Sequence, residues 1–328
     1  MRARIILLAL FLSGAVIAAP SEAADIDWQR VKPSRIALFY PGVVSWEFLV
    51  SEDHRLGARM IKSGRKDCRN CHLAKDGALD IKADEIASGS LKMKRSLKPF
   101  EPEPGAGRKG SISAEVQAAY DSGHLYLRFR WSSSGAGWAQ SAKTPDRISI
   151  QANKSDQLFK ASGCFITCHN DLSTMPHAPS KKEIGEHPAY RGKDEVSLYS
   201  VHAKSSWDKR KADAEAQKAV GLIDIKSVEL GKGLARAADG WIYDEKAWEE
   251  RPGFEGSGDW SEGAYTAVFK KPIGRAGKYD VAISEGDVFT IAIAIHEDGA
   301  RERRHYVSLP VSIGLGPGGD IQAIRLKD

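Results

Sequence analysis

Beyond residue 108, apolar and polar residues alternate over much of the chain, which is the pattern of half-buried β-strands. Every second residue of 124–131 is leucine, phenylalanine or tryptophan, and the same period marks 113–120 across a predicted turn at 121–123. Shorter segments of this kind are 147–152, 196–201, 264–269, 289–296 and 305–313, the last two forming a predicted hairpin. Because no regular helix separates these strands, the pattern predicts a mainly β fold, a β-sandwich, rather than a parallel α/β sheet.

Before residue 100 the pattern is helical and local. Leu56, Ala58 and Met60 give an apolar face to a short predicted helix that ends at Gly64. Proline and glycine are concentrated just after this region, which predicts a linker. The predicted organisation is a signal peptide at 1–23, a small mostly helical module at 24–100, a linker at 101–107 and a β-sandwich domain at 108–328.

Residues 1–23 have the features of a secretory signal peptide. Arg2 and Arg4 form a basic start, 5–19 is apolar, and small residues precede a predicted cleavage near Ala23. This apolar stretch is short for a membrane span, and no later one approaches the roughly 18 residues that a span needs. We therefore expect an exported, periplasmic protein that is soluble after cleavage, with an uncleaved N-terminal anchor as the alternative.

All four cysteines belong to two motifs in which a histidine directly follows the second cysteine. The first is Cys68-x-x-Cys71-His72, the attachment motif of a c-type haem. Its spacing has a chemical reason, because two thiols must reach the two vinyl groups at one edge of the porphyrin. The histidine that follows is then held beneath the iron. We expect Cys68 and Cys71 to bind a haem covalently and His72 to be its proximal iron ligand.

The second motif, Cys164-x-x-x-Cys168-His169, has one more residue between its cysteines. We expect Cys164 and Cys168 to carry a second covalent c-type haem, with His169 as its proximal ligand. Exported proteins often use an even number of cysteines for disulfides, and a Cys2His2 zinc site is another alternative. Neither alternative explains why a histidine follows both pairs of cysteines.

The chain is long and only weakly basic, with 328 residues and a formal net charge of +5. Basic residues are interspersed with acidic ones, and no concentrated basic patch supports binding of nucleic acid. Arg128, Arg130 and Lys204 are candidates for pairing with haem propionates. A small electron carrier needs far fewer residues to enclose a haem, so most of this chain has a further task.

Several of the predicted strands resemble those of a known family. Residues 112–120 and 124–131, together with 289–296 and 305–309, are similar to strands of the ethylbenzene dehydrogenase-type haem-binding domain. That family includes the haem b γ-subunits of periplasmic molybdenum enzymes of the DMSO reductase type, and c-type relatives that carry electrons. Over residues 110–315 the resemblance implies a β-sandwich that holds a haem at one end and works in electron transfer.

The chain also departs from the haem b subunits. Cys164, Cys168 and His169 imply a covalent haem, and the N-terminal haem module has no counterpart in those subunits. A molybdenum enzyme is therefore a candidate partner from the resemblance alone.

The sixth ligand of the first haem has to come from outside its attachment motif. His54 is the best candidate, because it precedes a short predicted helix of the same module that can fold back over the porphyrin. A solvent-facing position at the start of that helix is the alternative for His54. Met60 and Met93 are the other candidate ligands, and a methionine raises the potential relative to a second histidine.

For the second haem the resemblance favours His305 as the sixth ligand. In the haem b relatives a lysine ligand occupies the place that His305-Tyr306-Val307-Ser308 takes in this chain. Met175 is the main alternative because it follows the second motif closely, although the reach from one haem face to the other is short. His296 and His202 are further alternatives.

These features predict a periplasmic dihaem c-type cytochrome that transfers single electrons between redox partners of a respiratory chain. Its partners are expected to be a membrane quinol-oxidising cytochrome or a periplasmic reductase or oxidase, with membrane contact only through them. The alternative is a haem enzyme of the peroxidase or nitrogen-oxide reductase type, which needs an open iron site with acid–base groups above it. The sequence shows no evident set of such groups, which favours an electron-transfer protein over an enzyme.

Overall fold

A computed structural model shows a mainly β chain, as the alternation of apolar residues predicts. The structure describes residues 26–40, 54–62, 71–72, 75, 80–88, 90, 109–139, 145–164, 182, 186, 202–206, 209–244, 246–274, 277–297 and 305–327. The strand predicted at 196–201 lies outside these residues.

Most strands belong to one sheet of 14 strands, and β5 and β6 form a separate pair. The strands are β1 Ser34–Phe39, β2 Ser111–Tyr120, β3 His124–Ser132, β4 Asp146–Asn153, β5 Lys204–Ser206, β6 Lys209–Arg210, β7 Ile223–Gly231, β8 Leu234–Ile242, β9 Lys246–Trp248, β10 Glu255–Ser261, β11 Ala264–Pro272, β12 Val288–His296, β13 Tyr306–Ser308, β14 Val311–Gly314, β15 Ile321–Gln322 and β16 Ile324–Arg325. The described α-helices are short: α1 Arg55–Lys62, α2 Ala83–Ala87, α3 Ala136–Ala139, α4 Gln157–Ser162 and α5 Ala214–Gly221.

The strand order of the sheet is β10-β11-β3-β2-β1-β13-β12-β4-β7-β8-β9, and each neighbouring pair is antiparallel. The sheet is open but curls, so that β10 at one end packs against β7 near the other end. A Cβ atom on Gly256 of β10 would lie 2.3 Å from Cγ2 of Val228 in β7, so glycine permits this close approach. The buried apolar core, which includes Phe129, Ile148 and Ile293, lies inside the curl.

The N-terminal segment contributes a strand to this sheet. β1 pairs with β2 through Leu38 and Ile112, and with β13 through Leu38 and Ser308. Strand β1 therefore connects the strands on the β2 side to those on the β13 side. The strands form one continuous sheet, whereas the sequence predicted the two sheets of a sandwich. The sequence had also assigned 34–39 to a separate helical module, because periodicity does not reveal which strands pair across a long intervening segment. The rest of that division, with its linker at 101–107, stays a prediction.

Side chains also fasten the segment before β1 to the outside of the sheet. The Gln117 amide donates to the backbone oxygens of Trp28 and Val31, at 2.8 and 2.5 Å. Arg128 donates to the Gln117 side-chain oxygen at 2.5 Å, and its guanidinium lies 5.8 Å from the centre of the Trp28 ring. Arg128 thus has a structural role in attaching this segment, in place of the predicted contact with a propionate.

Candidate haem sites

The first candidate site joins His72 of the first motif to His54. His54 immediately precedes α1, and its imidazole ring lies nearly parallel to that of His72, with centroids 6.4 Å apart and 19° between the ring planes. Two imidazoles that bind one metal ion from opposite sides have centroids about 6 Å apart, because each metal–nitrogen bond is about 2 Å long and each centroid lies about 1 Å further out. The spacing of His54 and His72 therefore suits a haem iron between them.

Gly57 makes room for the His54 ring. A Cβ atom at Gly57 would lie 2.0 Å from Cε1 and 2.3 Å from Nε2 of His54. Glycine in a helix lowers its stability by about 1 kcal/mol relative to alanine. The structure explains why this helix contains one, because the imidazole packs directly on the α1 backbone at that position.

Asp80 lies on the other side of His72. Its Oδ1 is 3.5 Å from Nδ1 of His72, and its backbone N–H donates to the His72 backbone oxygen at 3.1 Å. A carboxylate facing Nδ1 directs the other ring nitrogen, Nε2, away from it, and this is the usual arrangement behind a metal-binding histidine. Cys71 is exposed as a free thiol, while Cys68 lies outside the described residues.

The second candidate site begins at α4, which leads directly into Cys164. The Asp156 carboxylate caps this helix by accepting from the Leu158 backbone N–H at 3.0 Å, and Gly163 ends it with a φ of 55°. Cys164 is buried against a cluster that includes Phe159, Ala292 and Val307. The thiol is therefore held against one face of the sheet, near β12 and β13. Cys168, His169 and Met175 lie outside the described residues.

His296 and His305 lie on that same face. Alternate residues of a strand share a face, so His296 follows Ala292 of the Cys164 cluster on β12, and His305 lies two residues before Val307. Both histidines are buried, and their rings stack with centroids 4.3 Å apart and 19° between planes. The predicted ligand His305 and its alternative His296 are thus brought together on the face that buries the attachment cysteine.

His202, an alternative ligand from the sequence, is hydrogen-bonded to the start of helix α4. Its Nε2 lies 3.0 Å from Oδ2 of Asp156, the residue that caps α4. This hydrogen bond raises the pKa of His202, against the opposing effect of burial. His202 thereby holds the helix that leads into Cys164, and its place as an alternative iron ligand stays a prediction. Met60, on α1, is half-buried, and nothing in its position favours it over His54.

The two candidate sites are adjacent in the fold. Helix α1, which begins next to His54, packs against α4, which ends next to Cys164, with Cα atoms within 8 Å of each other. About a hundred residues separate these helices in the sequence, so only the tertiary structure shows that the two motifs are neighbours.

Comparison with known proteins identifies the family. The model of the family described as ethylbenzene dehydrogenase matches residues 25–253, which is more than half of the chain. The chain belongs to this family. The match confirms the resemblance seen in the strands, and it begins before β1, in agreement with the place of that strand in the sheet. The resemblance in the sequence had been drawn over 110–315, so it missed the N-terminal part of the match.

Two cytochromes are similar to this chain over nearly their whole length. "Cytochrome c-552" of Stutzerimonas stutzeri is 31% identical over 321 residues, covering 95% of this chain and 96% of that protein. "Cytochrome c-551" of Rhodocyclus tenuis is 28% identical over 304 residues, covering 91% and 99%. Among solved structures, a carbohydrate binding module of family 9 from Caldicellulosiruptor kristjanssonii, in complex with cellotriose, aligns at 7% identity with a TM-score of 0.23 over 61% of this chain and 65% of that one. We draw no conclusion from a likeness at that level.

The protein also contains a buried cluster of charged side chains around Lys226. The ammonium of Lys226 lies 2.9 Å from Asp224, 2.7 Å from Asp239 and 2.9 Å from Asp280. The three carboxylates are close enough to hold a metal ion, but Lys226 occupies their centre. Burial alone lowers the pKa of Lys226, and the surrounding carboxylates outweigh it and raise the pKa above its usual range. The cluster is therefore an internal ion-pair network.

Several residues of the candidate sites were not predicted from the sequence. Gly57 and Asp156 each left a signal, since an isolated glycine inside a helical pattern marks close packing and an aspartate before an apolar run marks a helix start. Asp80 left none, because an acidic residue eight positions after His72 has no fixed relation to its ring.

Among the described residues, no helix is long and apolar enough to cross a membrane.

Proposed function

We propose that this protein is a periplasmic dihaem c-type cytochrome that carries single electrons between redox partners of a respiratory chain. The observation that carries the proposal is the pairing of His54 and His72, whose ring separation of 6.4 Å suits two ligands of one iron. The names of its relatives, cytochrome c-552 and cytochrome c-551, support a role in electron transfer rather than catalysis. When bound, haem iron supplies a one-electron redox couple.

At the first site, Cys68 and Cys71 are proposed to bind the porphyrin covalently. His72 and His54 are proposed as the axial ligands, with Asp80 setting the orientation of the His72 ring through Nδ1. Two histidines on opposite sides leave no position for a substrate, which supports a carrier over an enzyme.

At the second site, Cys164 and Cys168 are proposed as the attachment residues, with His169 and His305 as axial ligands. The support for this assignment is the burial of Cys164 on the face of the sheet that also carries His305 and His296. The contact between α1 and α4 supports a proposal of two neighbouring haems in one electron-transfer unit.

The compartment is part of the proposal. Residues 1–23 have the composition of a signal peptide, and covalent haem attachment to cysteine pairs takes place outside the bacterial cytoplasm. The proposed partners are redox proteins: a membrane quinol-oxidising cytochrome, a periplasmic reductase or oxidase, or a molybdenum enzyme. The proposed organisation has a haem module within 24–100, a linker at 101–107 and a second haem-binding domain within 108–328. Strand β1, although it lies within 24–100, belongs to the sheet.

Mass spectrometry of the purified mature protein after acid–acetone extraction tests the proposal. We expect the mass of the polypeptide cleaved near Ala23 plus two haems. Cys71→Ala should remove covalent attachment of the first haem alone, and Cys164→Ala that of the second alone. A parent protein with one covalent haem or none would contradict the dihaem proposal.

Spectra with carbon monoxide distinguish the carrier from a haem enzyme. Both haems are expected to be low-spin in the oxidised and reduced states, with no rapid binding of carbon monoxide, because both irons have two protein ligands. A high-spin haem that binds carbon monoxide quickly would replace the carrier with an enzyme that has an open iron site.

A further inference from the structure

Arg147 lies on β4 beside the second candidate site. In the register of the sheet it is opposite His296 of β12 on one side and Glu229 of β7 on the other. Residues opposite each other on neighbouring antiparallel strands share a face. Arg147 therefore belongs to the face that carries His296, His305 and, further along β12, the Ala292 that packs with Cys164.

The guanidinium of Arg147 has an unsatisfied buried donor. Its Nε is buried and has no hydrogen-bond partner. The nearest acidic side chain in register, Glu229, is paired instead with Arg236, whose Nη1 lies 3.3 Å from Oε2 of Glu229. Burial lowers the pKa of Arg147, and the charge of Glu229 only partly opposes this.

A buried guanidinium nitrogen without a hydrogen-bond partner is energetically unfavourable, because removing a polar group from water costs free energy unless a new hydrogen bond replaces the water. Arg128 shows the contrast within this chain, since it donates to Gln117 at 2.5 Å. Buried donors without partners are uncommon in folded proteins, and each one calls for an explanation such as an absent ligand. At Arg147 that ligand has to be an acceptor, and a negative charge suits it best.

The surface between Arg147 and Cys164 is lined by small side chains. Ser149 is opposite Ala294 of β12 and Ser227 of β7, and the two serine hydroxyls are hydrogen-bonded at 2.9 Å. From Ala292 to His296 the strand advances about 13 Å, at about 3.3 Å per residue. That length is comparable to the span of a haem from its thiol-linked edge to its propionate edge. A porphyrin bound through Cys164 can therefore lie on this face with its carboxylates towards Arg147.

We propose that Arg147 binds a propionate carboxylate of the haem attached through Cys164 and Cys168. The proposal rests on the proposed function, and adds to it the residue that orients this haem along the sheet. The haem's thiol-linked edge is held at Cys164, and Arg147 receives the opposite edge. The bond is a charge-assisted hydrogen bond from the guanidinium to the carboxylate.

Redox titration of the holoprotein tests this assignment, with covalent haem measured by mass spectrometry on each sample. In Arg147→Gln, both haems should remain attached, and the midpoint potential of the second haem should fall, because a positive charge near the iron favours the reduced state. The potential of the first haem should stay unchanged. Arg251→Gln is the matched control, since it removes the same charge from an exposed position after β9 and should leave both potentials unchanged.

A second variant keeps the test decisive where Arg147→Gln does not fold. Arg236→Gln changes an exposed residue and frees the Glu229 carboxylate, which then competes for Arg147. It should lower the potential of the second haem by a smaller amount. An unchanged second potential in the purified variants, with both haems attached, would overturn the role of Arg147. A parent protein that lacks the second covalent haem contradicts the proposed function itself, and that result is obtained from the parent alone.

Discussion

His296 and His305 stack face to face, with ring centroids 4.3 Å apart. This separation differs from the 6.4 Å between His54 and His72, which leaves room for an iron between the rings. Two imidazoles in direct contact leave no such room, so His296 and His305 cannot bind one iron from opposite sides. We therefore propose that one of them binds the iron of the second haem and that the other supports its ring by packing.

Substitution of these two histidines separates the ligand from its support. His305→Ala should leave the second haem covalently bound but high-spin or re-ligated, with the spectrum of the first haem unchanged. His296→Ala should keep a low-spin second haem, because the ligand remains and only its packing is lost. Absorption and magnetic circular dichroism spectra of both variants make the measurement, and Met175→Ala should change neither spectrum. The opposite pattern would assign the ligand role to His296.

Gly57→Ala should disturb the first haem while leaving the second intact. A methyl group at this position would lie 2.0 Å from Cε1 of His54, so the ring has to leave its place beside His72. In a helix without this contact the same change stabilises by about 1 kcal/mol. We expect a mixed or high-spin first haem instead. Gly123→Ala is the control, because a Cβ atom there meets its nearest neighbour, Oδ1 of Asp121, at an ordinary 3.6 Å.

The pair of His202 and Asp156 predicts a dependence of stability on pH. Because the hydrogen bond raises the folded-state pKa of His202 above the ordinary histidine value of 6.5, protonated His202 stabilises the fold. This contribution is fully present below about pH 6.5 and is lost as the pH rises through the higher folded-state pKa. Urea unfolding across that range should show parent stability falling by about 1 kcal/mol, the usual size of one hydrogen bond.

His202→Gln is the matching variant for that measurement. It removes the titrating group, so its stability should be flat over the same range. A parent curve with the same slope as the variant would show that His202 and Asp156 do not interact in solution.

Lys226→Met should destabilise the protein strongly. It leaves Asp224, Asp239 and Asp280 buried without the ammonium that lies within 2.9 Å of each. Removing one partner of a buried ion pair costs about 3–5 kcal/mol, because the remaining charge has lost both water and its partner. The free energy of unfolding in urea provides the measurement. Lys232→Met, at an exposed position after β7, should change it by less than about 0.5 kcal/mol.

The strands of the structure agree only in part with those predicted from the sequence. Alternation predicted β2, β3, β4, β11 and β12 and the pairing of β12 with the segment at 305–313, since a strand's own sequence shows which of its faces is buried. It missed β7, where Asp224 and Lys226 interrupt the apolar face because they are satisfied by each other and by Asp239 and Asp280. It also misplaced 34–39, whose partners β2 and β13 lie far away in the chain.

The sequence by itself determined the two cysteine–histidine motifs, the mainly β character and the resemblance to the family, because each depends on residues close together in the chain. Only the tertiary structure decided that the ring of His54 faces that of His72, that His305 stacks on His296, and that α1 packs against α4. The same holds for Arg147, whose buried Nε has no partner on a face built from three strands. Such relations depend on strand register and helix packing between distant segments, and local periodicity contains no information about either.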